Sequence, residues 1–179
     1  MREMTTNIVI TGFGGQGILF IGKILAYAAL LKGKELSWLP SYGPEMRGGT
    51  ANCHVIISDE PVASPIIQTP DILISMNKPS LDKFENKVAE NGYIIVDSTL
   101  VDRNVTRDDV NAVYVEATKI ATDEGKHALA NMVMLGALLK ATNLFTLDEI
   151  KAGVEKTTPP KKQHLVVQNM EMIQKGYNG

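Results

Sequence analysis

Asn7-Ile8-Val9-Ile10-Thr11 runs straight into Gly12-Phe13-Gly14-Gly15-Gln16-Gly17, and an apolar stretch from Ile18 to Leu31 follows at once. β-Branched residues fill the first segment, as they do in a short buried strand. The last segment reads as a helix that is apolar on almost every side, which requires burial on more than one face. Gly33 fits its C-terminal end. A strand turning through glycines into a helix is the opening unit of a parallel α/β sheet. Gly12, Gly14 and Gly17 match the G-x-G-x-x-G spacing. In that pattern Gly12 permits the tight turn, Gly14 lets an anion approach the backbone, and Gly17 lets the helix pack close to the strand. Backbone N–H groups around Gly15, Gln16 and the helix start would then face a phosphate or carboxylate. The plain alternative is a turn that only joins a strand to a tightly packed helix.

The rest of the chain keeps the alternation. Strands are expected at Glu35 to Leu39, stopped by Pro40, at Ala51 to Ser58, at Asp71 to Met76, at Tyr93 to Asp97 and at Val113 to Glu116. Val62 to Ile67 offers a short extended partner for the Ala51 segment, an edge hairpin on the sheet. Asn77 caps a helix with Pro79 in its first turn, running to about Glu90. The C-terminal portion is helical: His127 to Thr142, then a helix opened by the capping-box pattern Thr146-Leu147-Asp148-Glu149 and closed by Pro159-Pro160. A final helix spans Lys161 to Lys175. The expected fold is a Rossmann-like, doubly wound, mostly parallel sheet with an edge hairpin and a helical C-terminal portion. It forms one domain over residues 1–179.

A dinucleotide site usually adds an acidic residue at the C-terminal end of the second strand. Glu35 is at the right sequence distance but starts that strand, and Ser41 and Tyr42 stand where the acid belongs. The segment Ser41-Tyr42-Gly43-Pro44-Glu45-Met46-Arg47-Gly48-Gly49 is the most distinctive in the chain. It leaves the carboxyl end of the second strand, the edge where open α/β sheets bind ligands. Arg47 offers a planar fork for a carboxylate or phosphate. Glu45 can orient Arg47 or meet a cation, and Gly48-Gly49 allows close approach from outside. An internal Glu45–Arg47 arrangement that only shapes the loop is the alternative.

Together, Gly12 to Gly17, Ser41 to Gly49 and Asn131-Met132-Val133-Met134-Leu135-Gly136-Ala137 resemble the gamma subunits of 2-oxoacid:ferredoxin oxidoreductases. The likeness covers nearly the whole chain in order. The Ser-Tyr-Gly-Pro-Glu form resembles the 2-oxoglutarate type most, with the 2-ketoisovalerate, pyruvate and indolepyruvate types close. The resemblance implies oxidation of a 2-oxoacid with coenzyme A as co-substrate, giving acyl-CoA, carbon dioxide and reduced ferredoxin. It implies alpha-, beta- and delta-type partner subunits that carry thiamine diphosphate, magnesium and 4Fe–4S clusters, with ferredoxin as acceptor. The isolated chain would be inactive, with a homodimer of it left open. The site it implies for coenzyme A or a partner is Gly12, Gly14, Gly15, Gln16, Gly17, Ser41, Tyr42, Gly43, Glu45, Arg47, Gly48 and Gly49. No catalytic residue and no metal ligand is assigned to this chain.

The residues agree with that division of labour. One cysteine, Cys53, cannot hold an iron–sulfur cluster, which needs about four thiolates. No Gly-Asp-Gly segment stands ready for magnesium and diphosphate. A net charge of -2 offers no basic field for nucleic acid or anionic lipid. Ile18 to Leu31 is too short for a bilayer and no signal peptide is visible, so the expected compartment is the cytoplasm. His54, His127 and His164 are scattered without metal-ligand spacing and read as structural or surface groups. Cys53 reads as a small buried hydrophobe. Asp97 ends a strand and reads as a turn cap through Ser98 and Thr99, ahead of a catalytic acid. Ala128 to Leu139 is a helix apolar all round, explained by a subunit interface or by a central place in the core, and its Asn131 needs a buried partner. Met132, Met134, Met170 and Met172 read as adaptable packing. Two other classes compete: a stand-alone NAD(P)-dependent Rossmann oxidoreductase, lacking its ribose acid and any Tyr/Lys or His/Asp pair, and a non-catalytic adaptor domain.

Overall fold

The computed structural model describes residues 4–41 and 50–179. Six strands form one sheet in the order β2-β3-β1-β4-β5-β6. They are β1 (Thr5–Gly12), β2 (Glu35–Ser41), β3 (Ala51–Ser58), β4 (Ile72–Ser75), β5 (Tyr93–Asp97) and β6 (Asn111–Val115). Pairing is parallel from β1 through β4 and β5 to β6, and antiparallel on both sides of β3. Only β3 therefore runs against the rest. The helices are α1 (Ile18–Leu31), α2 (Lys78–Phe84), α3 (Ala117–Asp123), α4 (Ala130–Thr142), α5 (Leu147–Thr157) and α6 (Leu165–Asn178). No helix of the described residues is long and apolar enough to cross a membrane.

The expected edge hairpin is present but built differently. β2 and β3 make it, whereas residues 62–67 form no strand. The Ile67 N–H donates instead to His54 Nδ1 at 3.0 Å, so a side chain of β3 holds that segment. Pro40 does not end β2, which continues to Ser41 with Pro40 opposite Cys53. An edge strand needs hydrogen bonds on one side only, and there a proline is tolerated. The helix capped by Asn77 closes at Phe84 and tightens into a 3-10 turn over Glu85–Lys87, short of Glu90.

Alternation along the strands sends side chains to two faces. Ile8, Ile10, Cys53, Val55, Ile74 and Ile95 join the cluster under α1, α4, α5 and α6. Val9, Ile56, Leu73, Ile94 and Val96 join the cluster under α2. The winding is lopsided, since most of the helical mass lies on one face. On the thin side, residues 103–107 are tied down by Glu85, whose carboxylate accepts from Arg103 at 3.0 and 3.3 Å and from the Thr106 hydroxyl at 3.1 Å.

Helix α4 occupies the middle of the large cluster, and every residue from Ala130 to Leu139 is buried within this chain. Of the two explanations for its all-round apolarity, a core position holds. The partner that covers it most closely is α6. A Cβ on Gly136 would overlap the Ile173 carbonyl, and one on Gly176 would overlap the Val133 carbonyl. Both obstacles are backbone, so neither can turn aside. Gly136→Ala is expected to lower the unfolding free energy by about 2–3 kcal/mol through overpacking, despite the ~1 kcal/mol that alanine gains over glycine in helix propensity. Urea unfolding of the variant and the parent chain measures it.

Candidate functional site

Gln16 is the residue that shapes the glycine turn. Its side-chain Oε1 accepts from the Phe13 N–H at 2.6 Å, and its Nε2 donates to the Met76 carbonyl at 3.1 Å. Its own N–H donates to the Phe13 carbonyl at 3.3 Å. One carboxamide thus closes the turn on itself and ties it to the end of β4. A Cβ on Gly12 would stand 2.6 Å from Gln16 Oε1, so the first glycine is demanded by this side chain as well as by the turn.

Gly15 and Gly17 take left-handed φ values of 90° and 76°, which L-residues other than glycine rarely adopt. Gly17 is the residue before α1. The spacing pattern assigns it to close packing of helix on strand, but its close neighbour is α4. The Gly17 carbonyl accepts from Asn131 Nδ2 at 3.2 Å, and a Cβ there would lie 2.9 Å from Asn131 Cγ. This is the buried partner that Asn131 requires. Asn131 Oδ1 in turn accepts the Met132 N–H at 3.0 Å. No side chain caps the N-terminus of α1, and no acidic residue stands in its first turn. The first amides of a helix lack intrahelical acceptors, so the turn presents positive potential.

The turn borders a cleft of about 200 Å³ lined by Gly15, Gln16, Met76, Thr118, His127 and Ala130. It lies where β1 and β4 part company: the chain leaves β1 toward β2 and β3 on one side and returns to β4 on the other. That reversal is the crevice at which open α/β sheets receive ligands. Thr118 and His127 carry no local motif and come from elements distant in sequence, so only the folded arrangement brings them to the turn. His127 is exposed and shares a 3.0 Å hydrogen bond with the Thr122 hydroxyl through Nδ1.

The stems of the loop after β2 reach the same edge. Ala51 pairs with Gly12 and Ser41 with Asn52. Tyr42, Gly43, Pro44, Glu45, Met46, Arg47, Gly48 and Gly49 lie outside the described residues. Of the sequence-derived site, the structure brings together Gly12, Gly14, Gly15, Gln16, Gly17 and Ser41 at one edge. Glu35 pairs with Ser58 at the opposite edge. Because β3 intervenes between β1 and β2, even an acid at the far end of β2 would stand two strand spacings, ~10 Å, from the turn. Among the described residues no acid stands where a dinucleotide's ribose would be read.

Asp97 and Asn77 make contacts that serve the scaffold. Asp97 is fully buried. Its carboxylate accepts from the Thr99 N–H at 3.1 Å and from the Thr118 hydroxyl at 2.6 Å. It caps the turn after β5 and fastens it to α3; the Ser98 N–H goes instead to the Val115 carbonyl. Asn77 Oδ1 accepts the Ser80 N–H at 2.8 Å and caps α2. His164 is exposed just before α6. Cys53 has 0% exposure, and burial pushes its thiol up from 9.0 to about 12, with the Trp38 indole opposing that rise in part. The indole N–H falls outside ordinary hydrogen-bond geometry, so burial dominates. A thiol protonated across the physiological range is a poor nucleophile. Iodoacetamide at pH 8 should leave the native chain unlabelled and label it readily in urea; rapid labelling of the native chain would contradict this placement.

The family model described as pyruvate ferredoxin/flavodoxin oxidoreductase matches residues 7–179. The ketoisovalerate oxidoreductase subunit VorA of Methanothermobacter thermautotrophicus is 43% identical over 172 residues, which cover 95% of this chain and 35% of VorA. The chain thus spans about a third of the length of that relative. The 2-oxoglutarate synthase subunit KorC of Methanocaldococcus jannaschii is 37% identical over 178 residues, covering 98% of this chain and 94% of KorC. Among solved structures, the gamma subunit of a keto/oxoacid ferredoxin oxidoreductase from Geobacter sulfurreducens superposes with a TM-score of 0.83 at 30% identity, over 97% of this chain and 96% of that one.

Proposed function

Because this chain belongs to the pyruvate ferredoxin/flavodoxin oxidoreductase family, we propose that it is the gamma-type subunit of a 2-oxoacid:ferredoxin oxidoreductase and completes a site shared with other subunits. The observation that carries the reading is the nearly end-to-end match to a chain named as a subunit, 98% of one against 94% of the other. The reaction is oxidative decarboxylation of a 2-oxoacid with coenzyme A. The oxoacid is 2-oxoglutarate, in line with that match. A branched 2-oxoacid is the second reading, favoured by the 43% identity to VorA.

Thiamine diphosphate, magnesium and 4Fe–4S clusters belong to the alpha-, beta- and delta-type partners. Support comes from the chemistry of Cys53, a lone thiol sealed in β3 and held protonated by burial. One thiol cannot hold a 4Fe–4S cluster, which takes about four thiolates. Among the described residues no group of three His, Cys, Asp or Glu side chains is placed to hold a metal ion. Such cofactors supply carbanion stabilisation and one-electron chemistry. This chain supplies binding and closure. The turn Gly12 to Gly17 offers amides to an anionic part of coenzyme A or to a partner carboxylate. The loop Ser41 to Gly49, with Tyr42, Gly43, Glu45, Arg47 and Gly48, would add the Arg47 guanidinium as a second group for the same anion.

Purification of the tagged chain from native extract is expected to bring thiamine-binding and iron–sulfur subunits with it, and the isolated chain should not oxidise a 2-oxoacid. Turnover by the isolated chain would overturn the assignment, as would tight saturable binding of NADH or NADPH in calorimetry. Arg47→Glu should reduce the activity of the reconstituted complex at least about tenfold, roughly 1.4 kcal/mol of lost stabilisation; unchanged activity would leave the loop an adaptor. Comparison of kcat/KM for 2-oxoglutarate and 2-ketoisovalerate in that complex decides between the two substrates.

A further inference from the structure

A second cleft, of about 470 Å³, opens on the face of the sheet that carries α2, separate from the cleft at the glycine turn. Among the described residues its charged lining is lysine. Asn52 and His54 come from β3, Lys83 from α2 and Lys87 from the 3-10 turn that follows, while no carboxylate stands among the described residues that line it. Ile67 and Phe84 supply its apolar wall. The volume falls in the range of ~300–1,000 Å³ usual for small-molecule sites.

His54 is fixed as a donor. Its Nδ1 accepts the Ile67 N–H at 3.0 Å, so the proton of the neutral ring is on Nε2. Lys87 Nζ stands 5.2 Å from the centre of the Phe84 ring, and Lys83 Nζ 5.5 Å from it. The affinity of His54 for a second proton is lowered, first by burial and then by the charge of Lys87. The imidazole thus lies close enough to Lys87 to feel its charge. Lysine receives phosphate as a point charge, and a tetrahedral dianion accepts hydrogen bonds from several directions at once. We propose that this cleft binds a phosphomonoester, with the phosphate received by Lys87, the Asn52 amide and His54 Nε2–H, and the organic body resting on Ile67 and Phe84. The site stands apart from the role given to the glycine turn.

The test is a titration of the full chain, followed by amide and imidazole NMR, with inorganic phosphate, adenosine 5′-monophosphate and coenzyme A as probes. Phosphate and adenosine monophosphate should shift the amides of Asn52, Ile67 and Gln68 saturably. They should also raise the His54 pKa, because an adjacent anion favours the imidazolium. Lys83 and Lys87 are the charged groups among the described residues that line the cleft. Lys87→Gln should weaken binding about tenfold. Coenzyme A acting on the same amides would identify its phosphate as the source, whereas action confined to Gly12–Phe20 would identify a separate phosphorylated ligand. Absence of saturable shifts, an unmoved His54 titration or full affinity in Lys87→Gln overturns the proposal. None of those results would alter which subunits co-purify.

Discussion

Gly12 and Ala51 face each other across the β1–β3 ladder, and from that pairing follows nearly everything at the carboxyl edge. A strand running backwards between β1 and β2 returns the chain to the edge it has just left. The Ala51 stem of the loop after β2 therefore stands beside Gly12, and the Ser41 stem one strand further out on the same edge. In a fold with β2 next to β1, the same loop would lead away into a crossover. The reversed strand also displaces the position from which a ribose would be read. The described edge thus departs from dinucleotide geometry, although its opening segment carries the dinucleotide spacing.

The local elements were legible because they depend on local chemistry. β-Branched runs gave β1 and β5, the Thr146–Glu149 box gave the start of α5, and the glycine spacing gave the β1–α1 unit. What escaped depends on pairing between distant segments. Nothing within Ala51–Ser58 distinguishes an interior strand from the inner arm of a hairpin with residues 62–67. Pro40 is acceptable only because β2 is at the edge, which is a property of the sheet order. The demand on Gly17 comes from Asn131, more than a hundred positions away in the chain. Thr118 and His127 reach the cleft by the same long-range assembly.

Helix α4 links the core to the rim. Its middle presses glycine to backbone against α6, and its first turn carries Asn131 to the base of the turn. A rigid core thereby sets the position of the α1 N-terminus. Gln16 does the corresponding work on the other flank by holding the turn to the end of β4. Anchored on both sides, the turn holds its shape through contacts within the chain.

The sealing of Cys53 under α1 has a corollary for handling. Peroxide or dioxygen meets no cysteine thiolate at the described surface of this chain, and two folded copies cannot be joined by a disulfide. Oxidation of the described surface would then fall on methionine, with Met4 the most open to it.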